Sequence, residues 1–141
     1  MSDPARTRPD RRAVLRGAAA TVAGAAGLGA AGCAGPEEPA PAPPEEPVTL
    51  GRAARVPVGE AHVFPDHHVV VAQPEPGAYR AFSAVCTHRQ CPMAFVERLE
   101  VVCTCHGSRF DATTGAVRQG PARDPLPEVP VRAQGDDLVA G

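Results

Sequence analysis

Four of the five cysteines in this 141-residue chain fall between Cys86 and Cys105, and two histidines are interleaved with them. The first cluster reads Cys86-Thr87-His88-Arg89-Gln90-Cys91-Pro92, and the second Cys103-Thr104-Cys105-His106-Gly107-Ser108. Two Cys/His knuckles separated by a strand-length insert suit a metal centre held between two loops. Each loop then gives a soft thiolate and a borderline imidazole. A c-type haem needs Cys-x-x-Cys-His, but only Thr104 separates Cys103 from Cys105, so haem is excluded. The Cys-x-x-Cys of a thioredoxin-like redox pair is absent. A structural zinc site of two Cys and two His satisfies the ligand count. Simple disulfide staples suit a small exported domain but leave the two matched histidines unexplained.

The elements that position these clusters read as short strands. Apolar runs of strand length occur at His68–Ala72, at Tyr79–Val85 with alternation, and at Leu99–Val102. Further runs follow at Phe110, Ala116-Val117, Val129–Arg132 and Leu138–Ala140. Glu75-Pro76-Gly77, Thr113-Thr114-Gly115 and Gln134-Gly135-Asp136 are turn signals between them. With 17 prolines, only four Phe, one Tyr and no Trp, a long helix is not expected in this body and its core is thin. A thin core of this kind needs a covalent or metal staple. The expected fold is all-β: a small antiparallel barrel or sandwich.

Charge divides the chain into three parts: residues 1–33, 34–47 and 48–141. All 14 basic residues are Arg, and the formal net charge of −2 excludes a generally basic nucleic-acid binder. Residues 1–16 hold five Arg against Asp3 and Asp10, and an Ala/Gly-rich run, Gly17–Gly32, follows. A positive start, a weakly apolar stretch and small residues are the layout of a secretory signal. The pair Arg11-Arg12 before Val14-Leu15 resembles a twin-arginine signal, which implies export of an already folded domain. An uncleaved anchor is the competing reading, but the run would span only about 25 Å of a hydrocarbon core of about 30 Å. Ala30-Ala31-Gly32-Cys33 resembles a lipoprotein cleavage box, with Ala30 where Leu is usual, which implies lipidation of Cys33. Ala34–Pro47 carries six Pro and four Glu, the composition of an extended, semi-rigid spacer.

Taken together, Cys-x-His and Cys-x-Cys-His-Gly-Ser resemble the Rieske iron–sulfur proteins, in the cysteine-rich form found in cytochrome bc complexes. The resemblance covers roughly residues 48–141. It implies a small all-β domain with an inserted cluster-binding subdomain and one [2Fe–2S] cluster per chain. By position, Cys86 and Cys103 would hold one iron and His88 and His106 the other, while Cys91 and Cys105 would form a disulfide. Gly120-Pro121-Ala122, ahead of Pro125-Leu126, resembles the family's proline loop over the third side of the cluster.

Replacing two thiolates by neutral imidazoles removes two negative charges and makes reduction easier. Such centres lie at roughly −150 to +300 mV, against about −400 mV for all-cysteine plant-type clusters. The resemblance gives Ser108 the role of hydrogen-bond donor to a cluster sulfur, and an exposed histidine edge that a quinol can meet. Phe110 stands where high-potential members carry Tyr. The missing hydroxyl is expected to lower the potential by roughly 60–130 mV, the equivalent of one bond to a charged group. Arg89 and Arg109 beside the clusters either guide an acidic redox partner or are solvated charge. His62, His67 and His68 read as surface histidines, and Asp111, Asp136 and Asp137 as turn residues.

The leading expectation is therefore an exported, membrane-tethered electron-transfer subunit. It would serve a quinol-oxidising respiratory complex with a cytochrome b/c partner, or relay electrons for another exported oxidoreductase. The alternative is an exported non-redox module in which the same ligands hold zinc. A ferredoxin or oxygenase component of ring hydroxylation is a third reading, and the Cys91/Cys105 pair and the leader count against it.

Overall fold

Val69–Gln73 is buried at every residue, because this strand has a core on each face. Val70 and Ala72 point into one apolar cluster with Phe82, Ala84, Met93, Val101 and Phe110. Val69 and Val71 point into another with Leu50, Val56, Phe64, Ala81, Leu138 and Ala140. Successive residues of a strand face opposite sides, so a continuous β-branched run is what a strand between two cores requires.

The computed structural model describes residues 39–141. The leader expected at 1–33, its Cys33 and the start of the spacer lie outside the described residues. Ten strands follow in order: β1 (Val48–Arg52), β2 (Glu60–Phe64), β3 (Val69–Glu75), β4 (Ala78–Ser83), β5 (Phe95–Glu97), β6 (Glu100–Val102), β7 (Arg109–Asp111), β8 (Val117–Gln119), β9 (Val131–Gln134) and β10 (Asp137–Ala140). The described residues form no helix beyond two 3₁₀ turns at Ala53–Arg55 and Pro65–His67, and none is long and apolar enough to cross a membrane.

Three antiparallel sheets result, ordered β1-β10-β9, β2-β3-β4 and β5-β6-β7-β8. The β2-β3-β4 sheet is the layer shared by both cores. The four-stranded sheet is inserted between β4 and β9, as the family resemblance implies. Its strands are only three residues long, so their role is to hold the loops between them. Those loops are the β4–β5 connection with Cys86–Cys91, the β6–β7 connection with Cys103–Ser108, and the β8–β9 connection with the proline loop.

The C-terminal hairpin turns at Gly135-Asp136, where Gly135 takes φ 62°. This is the left-handed backbone that a two-residue hairpin loop needs and glycine supplies without strain. Asp136 is the turn residue expected and lies 3.6 Å from Arg52. Asp137 instead opens β10, paired with Gln134.

Candidate metal centre

The two cysteine–histidine clusters fold into the same turn. In the first, the Cys86 N–H donates to the Cys91 carbonyl at 2.9 Å and the Gln90 N–H to the Cys86 carbonyl at 2.9 Å. In the second, the Cys103 N–H donates to the Ser108 carbonyl at 2.8 Å and the Gly107 N–H to the Cys103 carbonyl at 2.9 Å. Each turn is six residues long, begins with a cysteine, and has its fifth residue in left-handed backbone: Gln90 at φ 55° and Gly107 at φ 80°. Glycine makes the second turn without strain, whereas Gln90 holds a conformation costing on the order of 1 kcal/mol or more. The ends are clamped by the Val85–Pro92 bridge on one side and by Val102 paired with Arg109 on the other.

The leading cysteines are 1 % exposed and belong to the apolar cluster around Phe110. Both are free thiols, and the Cys86 side chain neighbours that of Cys103. Burial pushes the Cys103 thiol above the ordinary range, while the N–H groups of Cys105 and His106, aimed at its sulfur, pull the other way. The second pair behaves differently. Cys91 and Cys105 form a disulfide with Cα atoms 6.7 Å apart, joining the last residue of one turn to the third of the other. The sulfurs of Cys91, Cys103 and Cys105 lie within 4.8 Å of one another. Two of these three are bonded to each other and are not thiolate donors, so among the described residues the thiols left for a metal are Cys86 and Cys103.

The His88 and His106 rings stand edge to face, with centroids 4.9 Å apart and planes at 89°. His106 is exposed. His88 is half-buried, and its Nδ1 is buried with no hydrogen-bond partner among the described residues. An unpaired buried polar nitrogen costs about 1–3 kcal/mol, and coordination to a metal removes that cost. Two free buried thiols, one orphaned imidazole nitrogen and a second imidazole against it fit a centre with two sulfur and two nitrogen donors. Of the residues singled out from the sequence, the structure thus pairs His88 with His106 and places Cys86 and Cys103 together in one buried cluster.

A third loop closes the site, and two hydroxyls hold it. Ser108, fully buried, accepts a hydrogen bond from the Ala122 N–H at 3.0 Å. Thr87 donates to the Asp124 carbonyl at 2.7 Å. A cleft of about 350 Å³ between turn and loop is lined by Thr87, His88, Pro121, Ala122, Arg123 and Asp124. Sequence reasoning missed Thr87. Its place between two candidate ligands was the only signal, and its partner is distant in the chain.

Several flanking residues take roles other than those expected. Arg109 is not a free guide for a partner: its partly exposed guanidinium is ion-paired with Glu97 at 2.7 Å and with Glu100. Arg89 is exposed. His62 is part of β2 and half-buried, hydrogen-bonded at 2.9 Å to Arg55, whose guanidinium also lies over the Phe64 ring. Burial and the Arg55 charge lower the His62 pKa. His67 and His68 are also half-buried. Asp111 is a buried strand residue whose carboxylate accepts from the Thr113 N–H and hydroxyl and the Thr114 N–H, and pairs with Arg118.

This chain belongs to the Rieske [2Fe-2S] domain family, whose model matches residues 46–130. Members carry a single [2Fe–2S] cluster of this type, an electron-transfer group, which displaces the zinc reading. Among relatives, a cytochrome b6-f complex iron-sulfur subunit of Chlorobaculum thiosulfatiphilum is 34% identical over 94 residues, covering 65% of this chain and 51% of that protein. A putative respiratory nitrate reductase subunit Rieske of Haloferax mediterranei is 39% identical over 62 residues, covering 43% of this chain and 28% of that protein. This chain thus spans about half or less of these relatives' lengths. Among solved structures, the plasma membrane Rieske protein PetC3 of the cyanobacterium Synechocystis superposes with a TM-score of 0.53 at 30% identity, covering 67% of this chain and 98% of that one. The ferredoxin of carbazole 1,9a-dioxygenase from Nocardioides aromaticivorans superposes with a TM-score of 0.52 at 27% identity, over 67% of this chain and 96% of that one.

Proposed function

We propose that the chain is a one-electron carrier in which Cys86 and Cys103 hold one iron of the cluster and His88 and His106 the other, with Ser108 beside the sulfurs. The observation that carries this is the buried, orphaned Nδ1 of His88, set edge to face against His106 in paired turns that each begin with a free buried cysteine, Cys86 and Cys103. When bound, the cluster supplies one-electron redox chemistry at a potential raised by its two neutral imidazoles. The chain's own residues do the rest. The apolar wall around Cys86 and Cys103 excludes water, and the Cys91–Cys105 disulfide ties the two turns together. With Nδ1 turned inward, the Nε2 of His88 is the ring atom left to carry or release a proton, and the exposed His106 ring is open to a quinol or a partner protein.

The residues 1–47 are the tether in this reading. A twin-arginine leader carries the folded domain across the membrane, Cys33 is the lipidated terminus, and the Pro/Glu spacer holds residues 48–141 away from the surface. The domain then serves a quinol-oxidising complex with a cytochrome b/c partner, or relays electrons for another exported oxidoreductase. Relatives named for a cytochrome b6-f complex and for a respiratory nitrate reductase support each branch.

Anaerobically purified protein tests the centre. Two iron and two acid-labile sulfide per chain are expected, with an EPR signal only after reduction, and His88→Ala or His106→Ala should abolish it. Colourless protein with one zinc and no sulfide would overturn the reading. Intact mass of the membrane-extracted chain tests the leader and the lipid on Cys33.

A further inference from the structure

The turn geometry sets a free thiol against a disulfide. Cys103 is unpaired and buried, and its sulfur lies within 4.8 Å of the sulfurs of both Cys91 and Cys105. Disulfides exchange when a thiolate attacks one sulfur and the other leaves; burial disfavours the Cys103 thiolate and slows this, but all three sulfurs already lie within 4.8 Å of one another. The two bonded sulfurs are not equivalent. Attack on Cys105 would join Cys103 to a residue only two positions along, across Thr104 alone, which forces a small strained ring. Attack on Cys91 joins the two turns. It also expels Cys105, the exposed member of the pair, into water, which solvates the departing thiolate.

We propose that Cys103 is a latent internal nucleophile silenced by cluster ligation, and that in chains lacking the cluster it attacks Cys91 and displaces Cys105. The Cys103–Cys91 bond forms as the Cys91–Cys105 bond breaks. The proton given up by Cys103 is recovered by Cys105 through solvent. One disulfide and two thiols are present before and after, so no oxidant or reductant is consumed. The product has Cys86 and Cys105 free and Cys103 locked, and it has lost one of the two sulfur donors. Cluster occupancy therefore protects the native disulfide, and a chain whose disulfide closes before loading drifts into a form that cannot be loaded. This rests on the cluster assignment only for the silencing step.

Cys86→Ser, in a full chain also carrying Cys33→Ser, removes one iron ligand and supplies a cluster-free protein in which Cys103 and the disulfide are intact. Samples are incubated over hours, quenched in acid, alkylated, and digested without reduction for mass-spectrometric disulfide mapping. The expected result is a growing Cys91–Cys103 cross-linked peptide with alkylated Cys105, reaching on the order of ten times its level in loaded wild-type protein. Adding Cys103→Ser should hold the Cys91–Cys105 pairing throughout. Chelator-stripped wild-type chain provides the same measurement should Cys86→Ser fail to fold, and circular dichroism reports whether it has. A guanidinium-denatured control gives the statistical mixture, and folded protein should show far less Cys103–Cys105 than that. Persistence of the Cys91–Cys105 pairing alone, with Cys103 alkylated at every time point in both cluster-free proteins, would sink the proposal. Iron and sulfide assays of the wild type judge the cluster assignment separately, because exchange is read in chains that carry none.

Discussion

The Ser108 hydroxyl oxygen sits 3.0 Å from the Ala122 N–H, so a side chain of the second cysteine turn carries the loop that closes the site. Accepting that bond leaves the hydroxyl proton available to a sulfur. Ser108→Ala removes both interactions, and two measurements separate them. Stranding the buried Ala122 N–H should destabilise the domain by about 1–3 kcal/mol in denaturant titration. Loss of the donated bond should lower the reduction potential by roughly 60–130 mV. A potential that does not move would remove the donor role and leave Ser108 only the loop.

Phe110 is fully buried in the same apolar cluster as Cys86 and Cys103, paired with Val101 on one side and Val117 on the other. Phe110→Tyr adds a hydroxyl that, once buried, must find a partner. The sulfurs are the acceptors the family pattern provides. The expected outcome is a potential raised by roughly 60–130 mV, read by redox titration beside the wild type. An unchanged value defeats the argument that the missing hydroxyl keeps this protein below the top of the Rieske range.

What was legible in the sequence followed from spacing and from patterns that a single strand carries. The two cysteine turns are local, six residues each, and β3 and β4 announce themselves because the run at Val69–Ala72 and the alternation after Tyr79 are strong. Strands β1, β2 and β5 were not legible. β1 contains Gly51 and a register shift between Thr49 and Gly51. In β2, the alternation of Glu60 and His62 with the buried Ala61 and Val63 spans only four residues before Phe64-Pro65 ends it. β5 has only three residues and exposes Phe95, the reverse of what its hydrophobicity suggests. Thr87 and Asp124 are 37 residues apart, and Arg109 meets Glu97 and Glu100 across neighbouring strands. Long-range pairings of this kind depend on register, which one-dimensional spacing does not encode.

Gly115 is where the β7–β8 turn meets the chain leaving the proline loop. Its N–H donates to the Asp111 carbonyl and its own carbonyl accepts from Leu126, both at 2.8 Å. At φ +73°, an added Cβ would lie 2.8 Å from both the Leu126 carbonyl oxygen and the Phe82 ring. Gly59 has nearly the same backbone, φ +78°, with nothing within 4 Å of such an atom. Gly59→Ala should therefore cost about 1 kcal/mol from backbone strain alone. Gly115→Ala should exceed it by a further 1–3 kcal/mol or so from crowding a packed core. Chemical denaturation of the two variants in parallel measures the difference, and equal losses would show that the space around Gly115 relaxes freely.

Asp111 links stability to acid. Burial opposes its charge, but the hydrogen bonds from the Thr113 hydroxyl and N–H and the pairing with Arg118 outweigh burial and hold the carboxyl below its ordinary range. An unfolded chain returns this group to about 3.9. Between that value and the lower folded one, the unfolded state binds more protons than the folded state, so stability falls as pH falls. The contribution is complete above the unfolded value and is lost as pH drops through the folded one. Asp111→Asn keeps the shape and the neutral bonds to Thr113 but not the charge. It should be about 1 kcal/mol less stable than wild type at pH 7, the difference between charged and neutral hydrogen bonds. That gap should narrow steadily below about pH 4. Denaturant titrations between pH 3 and 7 follow it, and a gap of constant size across the range would mean that the Asp111 carboxylate contributes nothing through its charge.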